Sequence, residues 1–236
     1  MKKLFDDVSN DCSKLVTKKY STSFSLAVHM LSPKIRKDIY NIYAFVRFAD
    51  EIVDTFHDYN KEELMAHFEK DYYCAKAQGI SLNPILNSFQ QTVTRYHIPD
   101  EMVQAFLKSM KADLYKTEYT TKEEYDAYIY GSADVVGLMC LKVFVNGDDQ
   151  MYEDLKDAAM RLGSAFQKVN YLRDFNHYNK LIYYVSTSND LDNYKKIINN
   201  CDSFLPDISD KFEIYICKDY RCNLPVSTLS EVMKIL

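Results

Sequence analysis

Five glycines and five prolines are all that 236 residues offer for tight turns. That is about 2% of each, against averages near 7% and 5%, too little turn chemistry for a many-stranded sandwich, barrel or solenoid. A mostly helical chain is the economical solution, and 27.6 kDa suffices for one compact unit with a sizeable core. With 47% hydrophobic and 27% charged residues, the chain as a whole is not disordered. Acidic residues outnumber basic ones, 34 to 29, for a formal charge of -5. No net positive field exists to gather nucleic acid, and no such partner is expected. Cys12, Cys74, Cys140, Cys201, Cys217 and Cys222 form no CxxC pair and fit reduced thiols.

Lys2 and Lys3 are followed by Asp6 and Asp7 before any apolar run of signal-peptide length. No stretch approaches the roughly 18 uninterrupted apolar residues of a membrane span. The expectation is a cytoplasmic protein whose contact with lipid, if any, is peripheral at the inner membrane face.

Periodicity near 3.6 predicts helices over 5–19, from Pro33 to about 55, and over 60–77, 84–95, 99–113, 121–145 and 149–178. Tyr20-Ser21-Thr22-Ser23-Phe24 reads as a break, and Ser32-Pro33 as a helix start with serine placed to cap. Asn83-Pro84, Ile98-Pro99 and Asn146-Gly147 punctuate the rest. Beyond Asn179 the pattern changes, with β-favouring runs at Leu181–Val185 and Phe212–Cys217 and a short amphipathic ending through Leu229, Val232, Met233 and Leu236. The expected division is a helical domain over 1–178 and an atypical segment over 179–236.

Two segments carry chemistry. In Tyr43-Ala44-Phe45-Val46-Arg47-Phe48-Ala49-Asp50-Glu51-Ile52-Val53-Asp54, helical geometry places Tyr43, Arg47, Asp50 and Asp54 on one face. Two carboxylates one turn apart supply half of a magnesium site, and the arginine can hold a diphosphate oxygen. The bland alternative, an Arg–Asp pair on a solvated edge, is weakened by apolar and aromatic neighbours that bring the charges near a core. In Gln167-Lys168-Val169-Asn170-Tyr171-Leu172-Arg173-Asp174, Gln167, Asn170 and Asp174 form a second polar stripe. Facing stripes would enclose metal ions, whereas either alone would read as a polar core network. Between them lies Tyr128-Ile129-Tyr130-Gly131-Ser132-Ala133-Asp134-Val135-Val136-Gly137. Its glycines suit a kink, close helix packing or the approach of a bulky isoprenoid chain.

Together with Tyr20 to Phe24, these segments resemble the squalene and phytoene synthase family of head-to-head prenyl synthases, in particular the flavobacterial type of phytoene synthase. Four motifs in order, reaching to about residue 177, make the resemblance specific. It implies an all-α isoprenoid synthase fold, a single helical domain around a central cavity. It also implies a prenyltransferase of carotenoid biosynthesis that condenses two geranylgeranyl diphosphates, through prephytoene diphosphate, to phytoene. The implied cofactor is Mg²⁺, with Mn²⁺ as a substitute, held by Asp50, Asp54, Asn170 and Asp174. Asp50, Asp54, Asp174 and Arg47 would carry the catalysis. Tyr20, Ser21, Ser23, Tyr43, Arg47, Gln167 and Arg173 would hold diphosphate, and Phe24, Tyr128, Val136 and Gly137 would line the hydrocarbon tunnel.

The chain departs from the family pattern at Tyr178, where a further carboxylate is expected, and over 179–236. These departures keep open a catalytically impaired member that binds an isoprenoid or a protein partner. Within enzymes, a squalene or dehydrosqualene synthase using farnesyl diphosphate is one alternative, and a chain-elongating prenyltransferase or terpene cyclase is a weaker one, since the residues around Asp50 fit the synthase pattern and the DDxxD expected of those enzymes is absent. Oligomeric state is not legible.

Overall fold

A computed structural model describes the backbone of residues 2–116, 121–176, 180–185, 213–218 and 221–222, and side chains within 2–116 and 121–167. The helices are α1 (Lys2–Tyr20), α2 (Thr22–Met30), α3 (Pro33–Asp54), α4 (Lys61–Gln78), α5 (Pro84–Arg95), α6 (Asp100–Asp113), α7 (Lys122–Ile129), α8 (Val135–Val145) and α9 (Asp149–Asn176). A π-helical turn, Tyr130–Asp134, joins α7 to α8. Strands β1 (Lys180–Val185), β2 (Glu213–Lys218) and β3 (Arg221–Cys222) form an antiparallel sheet in which Ile182 pairs with Ile216 and Cys217 with Cys222. The chain divides into two compact units, Met1–Gln167 and Lys168–Leu236. The described residues of the first form helices and the turns that join them, and the sheet belongs to the second.

Helix starts follow local chemistry. Asn60, Asn83 and Thr121 each accept a backbone N–H of the following turn, and Pro33 and Pro84 occupy first-turn positions where no donor is missed. Ser32 makes no side-chain cap, contrary to the expectation from sequence. The expected break at Tyr20–Phe24 is a corner of one residue. Ser21 Oγ accepts from the Phe24 N–H at 3.2 Å and starts α2, a helix that hydrophobic spacing alone did not reveal. Asn146 (φ 50°) and Gly147 (φ 90°) take the left-handed backbone that ends α8.

The core centres on Phe45 of α3, whose ring stacks on Phe89 of α5 at 3.9 Å and touches Phe68 and Tyr72 of α4 and Phe106 of α6. α8 also packs on α3, so one helix joins the core to the acidic stripe. The continuous helical run Lys122–Val145 has the length and apolarity of a membrane span, which the absence of an uninterrupted apolar run had not suggested. More than half of its most apolar window is buried inside the protein, as for a core helix.

α1 is turned the opposite way from its hydrophobicity. Ser9, Ser13 and Thr17 are fully buried, while Leu4 and Leu15 are 69% and 57% exposed. Hydrogen bonds explain the inversion. Ser13 Oγ meets Ser88 Oγ at 2.7 Å, Asn87 donates to Ser9 and Asp6, and Gln91 donates to Asp6 at 2.7 Å. The network continues into α3, where buried Asp38 accepts from Thr92, Arg95 and Tyr96, and Asn41 donates to Asn10 and Thr92.

Candidate active site on the acidic helix

The C-terminal half of α3 presents Tyr43, Arg47, Asp50 and Asp54 along one face. Asp50 is half-buried and Asp54, the last helical residue, is exposed. Burial pushes the Asp50 carboxyl up to about 7; the charge of Asp54 adds to this, Arg47 opposes it, and Asp113 of α6 and Glu51 contribute further. Two coupled carboxylates of this kind are relieved by a cation. Lys61 donates to the Val53 carbonyl at 2.6 Å, placing a positive charge at the negative end of the helix.

Arg47 is not directed at an aspartate. Its Nε and Nη2 both donate to Oε2 of Glu51, at 3.2 and 2.6 Å, and its guanidinium lies over the Tyr20 ring, 4.7 Å from the centroid. Glu51 belonged to the acidic segment but had no role assigned. The i,i+4 relation was present as a signal, outweighed by the aspartate spacing. Desolvation disfavours the Arg47 charge, yet Glu51, Asp50 and Tyr43 outweigh it and hold the group more firmly protonated than usual.

The corner between α1 and α2 completes this cluster. Tyr20 ends α1, Ser21 caps α2, and Phe24 stacks on Tyr43 at 4.8 Å. Ser23 is exposed, and no described contact brings it to Arg47. Tyr128, Val136 and Gly137 lie half-buried on the α7–α8 run. Gly137 serves close helix packing: a Cβ there would sit 2.7 Å from the Ala159 carbonyl oxygen of α9. Gly131 likewise meets α6 at Ser109 and the Ala105 carbonyl, so the approach these glycines permit is helix on helix.

Gln167 of α9 is half-buried. Asn170, Arg173 and Asp174 are on the same helix, but their side chains, and all of Tyr178, lie outside the described residues. Among the described residues no group of three metal-ligating side chains is assembled. Asp50 and Asp54 thus supply two hard oxygen donors, half of the expected set, and their chemistry fits Mg²⁺. A groove of about 500 Å³ between the start of α4 and the end of α6, lined by Asn60, Glu62, Met65, Lys111, Leu114 and Tyr115, includes none of the expected site residues.

Residues 17–178 match the family model described as squalene/phytoene synthase. Among curated relatives, phytoene synthase 2, chloroplastic, of Zea mays is 29% identical over 177 residues, 72% of this chain and 43% of that protein. The 4,4'-diapophytoene synthase of Staphylococcus haemolyticus (strain JCSC1435) is 27% identical over 164 residues, 67% of this chain and 55% of that protein. The chain spans about half the length of the curated relatives it matches. The crystal structure of squalene synthase HpnC from Alicyclobacillus acidocaldarius aligns with a TM-score of 0.62 at 22% identity, covering 72% of this chain and 62% of that one. That likeness shows the all-α isoprenoid synthase fold over the aligned part of the chain; the second unit adds a three-stranded sheet. With a match across more than half of its residues, ending where the helical pattern ends, the chain belongs to the squalene/phytoene synthase family.

Proposed function

We propose that the chain is a magnesium-dependent prenyltransferase that joins two geranylgeranyl diphosphates head to head, through prephytoene diphosphate, to phytoene. The observation that carries this reading is the half-buried Asp50, one turn from both Arg47 and exposed Asp54 on a helix otherwise built into an aromatic core. Asp50 and Asp54 would hold Mg²⁺ from one side, and Asn170 and Asp174 are the proposed completing ligands. Bound there, the ion supplies charge neutralisation to a departing diphosphate.

The chain's own residues supply the rest. Arg47 offers planar paired donors to diphosphate oxygens, and Gln167 and Arg173 are the proposed donors from α9. Apolar side chains around α3 and α8 would keep water from an allylic cation held beside them. Asp50→Asn and Asp54→Asn, assayed by diphosphate release from geranylgeranyl diphosphate with Mg²⁺, test the assignment. Turnover should fall by several powers of ten in Asp50→Asn with the fold retained, since losing one of two carboxylates beside a divalent ion removes several kcal/mol. Near-normal turnover would place the metal elsewhere.

The Staphylococcus haemolyticus relative, named 4,4'-diapophytoene synthase and nearly as similar, favours a second reading with the shorter farnesyl diphosphate as substrate. Carbon number of the hydrocarbon formed when both substrates are offered separates the two.

A further inference from the structure

We propose that Glu51 and Tyr20 are positioning residues that present Arg47 to a diphosphate, Tyr20 acting through its ring face and not through its hydroxyl. The inference rests on the reading of Arg47 as a diphosphate donor, and it replaces the direct diphosphate contact that the family resemblance implies for Tyr20 with one made through Arg47. A guanidinium carries five N–H donors in one plane. Glu51 Oε2 takes the Nε hydrogen and one Nη2 hydrogen, while Tyr20 covers a face of the plane at 4.7 Å. One edge and one face are therefore occupied. The Nη1 hydrogens and the second Nη2 hydrogen remain for an anion.

An ordinary exposed i,i+4 ion pair would contribute little and would orient nothing. This pair differs, because the side chains of Arg47 and Glu51 are only 27% and 15% exposed and a third group packs against the guanidinium. The aromatic contact is itself held from two directions. Tyr20 is the last residue of α1, one position before the Ser21 cap, and Phe24 on the far side of that cap stacks on Tyr43, one turn before Arg47 on α3. The α1–α2 corner is thus pinned to α3 at adjacent turns, and the Arg47 fork is set before any ligand arrives. Preorganisation of this kind raises affinity by removing the cost of ordering a long side chain.

The test is calorimetric titration of the full chain with inorganic pyrophosphate in the presence of Mg²⁺. Tyr20→Phe keeps the ring and should bind within about threefold of the unmodified chain, whereas Tyr20→Leu should lose about tenfold. Glu51→Gln keeps an oxygen acceptor and should also stay within about threefold, whereas Glu51→Ala should lose about tenfold. In an Arg47→Gln background the Tyr20→Leu and Glu51→Ala losses should vanish; losses that persist there would mark a merely structural role and overturn the proposal. Equal or tighter binding by Tyr20→Leu and Glu51→Ala would overturn it as well, as would a large loss in Tyr20→Phe. Absence of pyrophosphate binding by the unmodified chain would instead overturn the diphosphate reading of Arg47, and the positioning role with it.

Discussion

Ser164 Oγ donates to Asp134 Oδ1 across 2.6 Å, tying α9 to the π-helical turn. Beside this bond a Cβ on Gly163 would lie 2.7 Å from the Ala133 carbonyl oxygen, and one on Gly137 would lie 2.7 Å from that of Ala159. Gly137 faces α9 and Gly163 faces the π-helical turn that leads into α8, so neither backbone can yield without moving the other.

Gly163→Ala sets two effects against each other. Alanine favours a helix over glycine by about 1 kcal/mol, but a methyl forced against a backbone carbonyl costs about 1–3 kcal/mol and cannot be relieved by a rotamer. The clash wins. Urea denaturation should show net destabilisation, and also for Gly137→Ala; unchanged midpoints would mean that α8 and α9 are not in backbone contact.

Asp50 makes metal-free stability depend on pH. Its folded pKa of about 7 lies above the usual 3.8, so the folded chain binds a proton that the unfolded chain releases more readily. That contribution is fully present below about pH 4 and is lost as pH rises through 7, reaching at most about 4 kcal/mol. Without metal, Asp50→Asn should therefore be more stable than the unmodified chain at pH 8 and nearly equal to it at pH 4. Thermal unfolding of both chains across this range checks the sign, and a mutant less stable at pH 8 would contradict it. Mg²⁺ should raise the melting temperature of the unmodified chain more at pH 8 than at pH 6, because protons compete for Asp50.

Asp38 is 1% exposed and accepts from Thr92, Arg95 and Tyr96. Asp38→Ala leaves the buried Thr92 and Tyr96 hydroxyls without this acceptor, and the expected loss is about 2–4 kcal/mol by chemical denaturation. A loss under about 0.5 kcal/mol would show that the α3–α5 network is not required for the fold.

Legibility in the sequence followed the strength of the local signal. α3, α5 and α6 are readable to within a residue or two because prolines open or precede them and aromatic and aliphatic positions recur on one face. The stripe of Tyr43, Arg47, Asp50 and Asp54 is readable for the same reason. The orientation of α1 was not, because Ser9, Ser13 and Thr17 are buried by hydrogen bonds to α5, which are tertiary facts, while hydrophobicity points Leu4 and Leu15 inward. α2 escaped because a helix of nine residues starting one residue after another leaves little periodicity to read. The pairing of Arg47 with Glu51 was hidden because Asp50 at i+3 competes with Glu51 at i+4; Arg47 meets Glu51, and the Tyr20 ring that covers the guanidinium is a tertiary contact not visible in one dimension.

The most direct test of the proposed activity is product analysis of the full chain incubated with geranylgeranyl diphosphate and Mg²⁺, beside Asp50→Asn under the same conditions. The predicted result is a C40 hydrocarbon from the unmodified chain and none from the variant. A folded, pyrophosphate-binding chain that yields no hydrocarbon from either geranylgeranyl or farnesyl diphosphate would contradict it.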